Sequence, residues 1–450
     1  MSAHLRIAGG TVYTEEGPRR CDVVIEDGRI AALEPPGTAA RTTVLDATGL
    51  TVLPGMIDFH VHLDDQIGRW PIADDFATGS QAAVQTGITT LISFATQRAD
   101  ETLAATARRW VGKAAGASHC DFAFHLTPTQ WPWDWATIEE LVARGWTTFK
   151  LYTTYREAGL FTPWDRLEEA MAGLASRGAR LLLHCEDDET LAGFSPAWVN
   201  LADAASHGCL RPERVEVKAI LLALDIAERT GCPLHIVHVS TGSGAEAIAA
   251  AKGHASVTCE TAPHYLLLND ERLAGPGGHR FLCTPPLRSE ATRGRLEALA
   301  VAGGFDIFAT DHCPFSRTAK DSSTGDYRTV PNGLAGVGAL VPLMFELLVK
   351  RHGLPLSELA TRLAANPARL AGLYPRKGAI RVGADADLVI ADPAGAPQRV
   401  VSSLSPCYET YSGFTTALAI KHVFLRGTEV VRDGRLLEPR GARGACLSAP

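Results

Sequence analysis

The sequence predicts an α/β chain: a (β/α)8 TIM barrel carrying a small β-sandwich domain formed by the N- and C-terminal segments. Three observations lead there. Short apolar runs suited to buried parallel strands recur about eight times in the middle of the chain, alternating with helical stretches. Both ends read instead as short strands divided by turn signals. Five of the central runs end at His, Lys or Asp, the place from which barrel strands deliver active-site groups.

Taken in order, residues 4–53 hold strands at 5–8, 22–25, 29–33 and 43–45, with turns at Glu26-Asp-Gly28 and Pro35-Pro-Gly37. The barrel strands then begin near Thr51, Thr89, Asp121, Thr147, Arg180, Pro233, Ala255 and Asp306. Between them, 74–86, 163–176 and 213–229 have the apolar spacing of amphipathic helices. Residues 313–337 form a long loop rich in Gly, Ser, Asp and Thr, a length that loops reach when functional or disordered. The style of the N-terminus returns at 378–382, 386–390, 420–425 and 428–431, with Arg432-Asp-Gly434 as a turn. The expected division is therefore 1–53 and 372–450 as one sandwich, with 54–371 as the barrel inserted between them.

At 450 residues the chain is long for a single core, so a large unit plus a smaller one is expected. An apolar content of 46% and a charged content of 21% are those of an ordinary globular protein. The net charge of -7 is scattered, and no basic patch interleaved with aromatics speaks for nucleic acid. No apolar run reaches membrane-spanning length and the first residues lack a signal-peptide core, so no membrane partner and a cytoplasmic location are expected. The ten cysteines show no Cys-x-x-Cys pairing, which argues against disulfides. Cys185, Cys259, Cys283 and Cys313 read as small buried hydrophobes.

The apolar run 50–57 reads as one buried strand, and the chemistry starts at its end, in Pro54-Gly-Met-Ile-Asp-Phe-His-Val-His62. Side chains two apart on a strand point the same way, so His60 and His62 can offer half of a transition-metal site. Alone, His-x-His is a weak signal. Further along, Lys150 closes 145–150, His184 closes 179–184, His238 follows 233–237 and Asp311 follows 305–310. Lys150 is the odd member, because an ammonium repels a metal. Reaction with carbon dioxide would turn it into a carbamate able to bridge two cations about 3.5–4 Å apart. The alternative is a lysine capping a strand with its head in solvent, or pairing Asp311. Asp311 can bind a metal and act as general base, or merely cap the turn that follows. His264 and His312 read as structural. Asp58 could orient a ligand or be a satisfied buried carboxylate.

These motifs resemble the cyclic amidohydrolases of the amidohydrolase superfamily, in the hydantoinase and dihydropyrimidinase branch. The likeness also covers His184-Cys-Glu186, Val237-His-Val-Ser240, Glu260-Thr-Ala-Pro-His-Tyr265, Pro285-Pro-Leu-Arg288, Thr310-Asp-His-Cys-Pro-Phe315, Leu373-Tyr-Pro-Arg-Lys-Gly378 and Val382-Gly-Ala-Asp-Ala-Asp-Leu388. It implies two zinc ions per chain, bridged by N6-carboxylated Lys150 and a hydroxide. His60, His62 and Asp311 would hold one, His184 and His238 the other. It implies Tyr155 as the oxyanion donor, and Thr284 and Asn332 as the residues that bind the substrate's cyclic amide or ureide edge. Thr284 stands where hydantoinases commonly carry Ser. The implied reaction is hydrolytic ring opening, with Asp311 passing a proton to the ring nitrogen, in a homo-oligomer (tetramer or dimer). Allantoinase and dihydroorotase share the ligand set. Dihydroorotases usually carry an arginine after His-x-His to grip a carboxylate, whereas this chain has Asp64-Asp65. A non-enzymatic scaffold of the same fold would be expected to have lost ligands, and here all six positions are kept. Trp70, Tyr152 and Phe161, in or beside loops around 65–73 and 152–160, are expected to line the substituent pocket.

Overall fold

The computed structural model describes residues 5–37, 43–322, 325–437 and 444–448. Eight strands make the central sheet, numbered here β1 (Met56–Val61), β2 (Ile88–Thr96), β3 (Asp121–Thr127), β4 (Thr148–Tyr152), β5 (Arg180–His184), β6 (Leu234–Ile236), β7 (Val257–Thr261) and β8 (Ile307–Phe308). Each pairs in parallel with the next. The first and last meet through a parallel bridge between Val61 and His312, where the His62 amide donates to the His312 carbonyl at 2.7 Å. This closes a TIM barrel. Ile57, Phe59, Ile92, Phe94, Leu182 and Val237 fill its interior as one apolar cluster. Such layered filling makes the barrel a solid core whose open face is built from strand ends.

The helices at Phe76–Gln85, Trp164–Ala175 and Glu213–Thr230 lie within two residues of their expected bounds. Asp75 caps the first through a capping box with Thr78, which satisfies amides that the first turn leaves free. Their buried faces carry the apolar residues that the spacing selects, such as Leu167, Met171 and Leu174.

The small domain is two facing sheets. One has four strands: Leu5–Ala8, Asp22–Glu26, Arg29–Glu34 and Thr43–Asp46. The other has seven and joins the two ends of the chain, because Leu388–Asp392 pairs antiparallel with Thr51–Pro54. Ile7, Val23 and Ile30 from one sheet meet Val12, Val52 and Leu388 from the other in a common core.

Several expectations are corrected. The run 50–57, read as one strand leading into the barrel near Thr51, is split. Thr51–Pro54 belongs to the small domain and β1 starts at Met56. The break falls at Gly55, where a Cβ would meet the Thr89 hydroxyl at 2.1 Å, so only glycine lets the chain cross there. Residues 378–382 form no strand. They turn along the sheet edge, held by an isolated Arg29–Asp385 bridge and by Gly383 donating to Ile30. Thr11–Thr14 and Gly17–Arg20 are strands that the turn-rich sequence hid. The loop 313–337 contains short helices at Arg317–Lys320 and Tyr327–Thr329, and residues 323–324 lie outside the described residues. The C-terminal stretch does not stay on the sandwich. Val400, Tyr411 and Leu418 join the barrel's outer core, and Ala445 and Leu447 pair with Phe122 at the start of β3.

Candidate metal centre and active-site cleft

The site lies where the strands end. His60 is the fifth residue of β1, Lys150 the third of β4 and His184 the last of β5, while His238 and Asp311 follow β6 and β8 by two and three residues. A register shift in the β1–β2 pairing lies opposite this end of β1, and such irregularities re-aim side chains. Phe59 and His60 accordingly both reach interior partners, Phe59 against His125 and His60 against Phe94.

Two groups of donor atoms face each other. His60 Nε2 lies 3.2 Å and His62 Nε2 3.6 Å from Asp311 Oδ1, and ligand atoms of the three all fall within 4.8 Å of one another. His184 Nδ1 lies 3.0 Å from His238 Nε2. The His60 and His238 rings, 5.4 Å apart, connect the groups. Tyr155, His238 and Asp311 have φ of +67°, +38° and +48°, a region that L-residues seldom occupy. Such strain persists where the surrounding structure holds it, and it gathers at functional sites.

The electrostatics suit cation binding. Burial holds His62, His184 and His238 below the ordinary histidine range, which keeps their imidazoles neutral and able to ligate. Burial also opposes charge on His60, but Glu260 and then Asp311 outweigh it and the net shift is upward. Asp311 is held well below the carboxylate range; burial opposes this, and His60 is the strongest of the groups that pull it down. Lys150 is 1% exposed and makes no ion pair among the described residues. Its amine lies 5.2 Å over the Phe94 ring and 5.0 Å over the Tyr152 ring, and burial brings it down to about 7. Neither a solvated head nor a pair with Asp311 describes it.

Behind these groups stand partners to which the sequence reading gave no role. Glu260, inside β7, meets His60 Nδ1 at 2.5 Å and His235 Nε2 at 3.1 Å. Glu186 meets His184 Nε2 at 2.8 Å and is held by Arg211 at 2.6 Å. A carboxylate on the far nitrogen fixes which nitrogen of a histidine faces a metal. The signal for Glu260 was a lone acid within a buried strand. Asp58 plays a different part: it accepts from the Thr310 amide at 3.1 Å and hydroxyl at 2.6 Å, bracing the barrel closure, and burial pushes it up to about 6. His312 is structural, meeting Asp74 at 3.0 Å and accepting from the Gly336 and Val337 amides.

A cavity of about 310 Å³ opens over the donors. Tyr155, Thr284 and Asn332 line it together with all six candidate ligands. Asn332 Nδ2 donates to the Thr284 hydroxyl at 2.9 Å, and His207 Nε2 lies 3.2 Å from that same oxygen. Gly333, at φ +149°, leaves no room for a Cβ, which would meet the Cys313 carbonyl at 2.3 Å. The buried Lys320 donates to the carbonyls of Leu282 and Pro331, both at 2.9 Å, and so ties together the segments that carry Thr284 and Asn332.

The donor set fits divalent cations: four imidazoles, three of them held neutral by burial, and one carboxylate converge, beside a buried lysine that makes no ion pair among the described residues. The amidohydrolase family model matches residues 51–430. A D-hydantoinase of Streptomyces coelicolor is 33% identical, covering 96% of this chain and 95% of that one. The chain belongs to the amidohydrolase family, in its hydantoinase branch. A crystal structure of a D-hydantoinase superposes with a TM-score of 0.93 at 29% identity, covering 100% of this chain and 99% of that one. A dihydropyrimidinase from Brevibacillus agri gives 0.90 at 28% identity, with 100% of both chains covered.

Within that family frame, one expectation about the pocket is corrected. Tyr152 lines the cavity, but Trp70 and Phe161 do not. Trp70 packs on Ile72, Cys313 and Phe315, and Phe161 lies under the Arg156 guanidinium at 3.8 Å. The wall that they were expected to form is made by Asp65, Gln66, Ile67, Gly68, Ala158 and Leu160. All ten cysteines are free thiols, and Cys185, Cys259, Cys283 and Cys313 are buried. No helix among the described residues is long and apolar enough to cross a membrane.

Proposed function

We propose that this chain hydrolyses a cyclic imide or ureide, of the hydantoin or dihydropyrimidine class, to the open carbamoyl acid, using two divalent cations of which zinc is the first candidate. The observation that carries the proposal is Lys150, an amine buried among metal-type donors that makes no ion pair among the described residues. An amine brought down to about 7 is neutral often enough to attack carbon dioxide, losing a proton and becoming a carbamate with two donor oxygens. His60, His62 and Asp311 would hold one cation, His184 and His238 the other, with the Lys150 carbamate between them. Bound there, such cations supply a lowered pKa to a shared water and a Lewis acid for the ring carbonyl.

The chain's own residues do the rest. Asp311 accepts a proton from the attacking water and returns it to the departing ring nitrogen, which would otherwise leave as a costly anion. Tyr155 donates its hydroxyl to the oxygen that becomes negative as the carbonyl is attacked. Burial pushes its phenol up, so the donor keeps its proton across the working range. Thr284 and Asn332, locked to each other, hold the amide edge of the ring. Glu260 and Glu186 keep the imidazoles of His60 and His184 turned toward the cations.

The test is a purified-protein assay of hydantoin, dihydrouracil and allantoin side by side, with elemental analysis of the same sample. Ring opening with about two metal ions per chain supports the reading. Turnover of allantoin alone would make the enzyme an allantoinase, and metal-free protein without turnover would make it a scaffold. Light scattering on that sample measures the expected tetramer or dimer.

A further inference from the structure

The cavity has one wall that the ring chemistry leaves unused. The cation ligands and Tyr155 meet the reacting carbonyl, and Thr284 and Asn332 meet the amide edge. Among the lining residues that these assignments leave free for a substituent on the remaining ring carbon are 65–68, Tyr152, Ala158 and Leu160. Ile67, Leu160 and the Tyr152 ring give that wall an apolar surface. Asp65 is its single charged member.

The Asp65 carboxylate is close enough to act on His62, Tyr152 and Cys313, all of which line the same cavity. Its one hydrogen bond is from the neighbouring Gln66 amide at 2.8 Å, and it makes no ion pair among the described residues. Lys113 and Arg109 act on it through space but form their ion pairs with other acids. Lys113 lies 3.7 Å from Asp64 and donates to its carbonyl, while Arg109 is bound to Glu101 through Nε at 3.0 and 3.1 Å. Burial is the largest influence on the Asp65 carboxyl and pushes it up, outweighing the Gln66 amide, His62, Lys113 and Arg109, which act the other way. A partly desolvated acid with free acceptor oxygens attracts a cation or a strong donor and repels an anion.

We propose that Asp65 is a specificity-determining residue, selecting cyclic amides whose ring substituent ends a short apolar stem in a positive charge or a strong hydrogen-bond donor. The inference rests on the ring-opening reading above. The stem lies over Ile67, Leu160 and Tyr152, and the charged tip reaches the Asp65 carboxylate.

The experiment compares kcat/KM of the metal-loaded enzyme for hydantoins bearing an aminobutyl, a pentyl or a carboxypropyl group, with unsubstituted hydantoin as the reference. The expected order is aminobutyl, then pentyl, then carboxypropyl, with about tenfold between the first two. High salt shrinks that ratio, and Asp65→Asn brings it to about twofold or less. A ratio near one in the native enzyme, or one that Asp65→Asn leaves unchanged, overturns the proposal. If Asp65→Asn does not fold, the native ratio at low and high salt decides alone. Failure of the underlying reading looks different, since none of the four rings would then be opened.

Discussion

Two lysines in this barrel are equally buried, at 1% exposure, and sit at opposite ends of it. Lys377, at the floor where the small domain docks, is ringed by acids: Asp121 at 2.5 Å, Asp387 at 2.6 Å and Asp385 at 3.0 Å. Lys150, at the mouth, faces imidazoles and aromatic rings and, among the described residues, has no acid within ion-pair distance. Lys320 stands between the extremes, bound to two carbonyl dipoles and brought down to about 8 by burial. The contrast shows what makes a buried amine chemically available. A charge compensated on several sides is a structural pin, and one left uncompensated gives up its proton more readily.

This comparison can be broken by swapping the consequences. Lys150→Ala is expected to lower bound metal from about two ions per chain to below one and turnover by roughly 10³-fold or more, with the melting temperature of the metal-free protein nearly unchanged. Full activity in that variant would remove the bridge from the mechanism. At the floor the effect should reverse. Lys377→Met takes the ion pair from Asp387 and leaves Asp121 and Asp385 with Arg426 and Arg376 alone, and should cost about 3–5 kcal/mol in denaturant unfolding, while activity per folded molecule is kept.

Smaller effects sharpen the same contrast. Tyr155→Phe would remove the proposed oxyanion donor and is expected to lower kcat about 10²- to 10³-fold with little change in metal content. Glu260→Gln should weaken metal affinity about 10- to 100-fold, read by competition with a chelator. The mildest test is acid. His125 and His207 are buried and neutral, with burial holding both down to about 3. Between that value and the ordinary histidine range near 6.5, only the unfolded chain takes up their protons. Stability is therefore lost as pH falls through this window, by about 1.4 kcal/mol per pH unit for each fully buried histidine. His207→Gln should flatten the urea midpoint against pH; an unchanged slope would show that another group carries it.

The barrel and the six candidate ligands were legible because strand ends impose a sequence rule. The candidate residues stand in or just after short apolar runs, as Lys150 and His184 do, and the intervening helices keep their period. The split of the run 50–57 at Gly55 was not legible, because an apolar stretch does not say which of two sheets each half joins. Nor was the set of supporting acids. Glu260 looks like any polar interruption until the fold sets it against His60 and His235, which lie 200 and 25 residues away in the chain. The cavity wall at 65–68 was assigned to the right loop, but the wrong aromatic residue was chosen in it. Trp70 has an apolar cluster of its own to join, and hydrophobicity alone could not tell that cluster from a pocket.

The place where the barrel closes has a consequence for how an ion would come and go. His60 and His62 lie on one lip of that seam and Asp311 on the other, one residue from the His312 carbonyl that accepts the His62 amide. A cation seated across the lips would act as a rivet, and breathing of the seam would be the same event as its release. Amide exchange at His62 should therefore slow on metal loading and set the pace at which a chelator strips the enzyme.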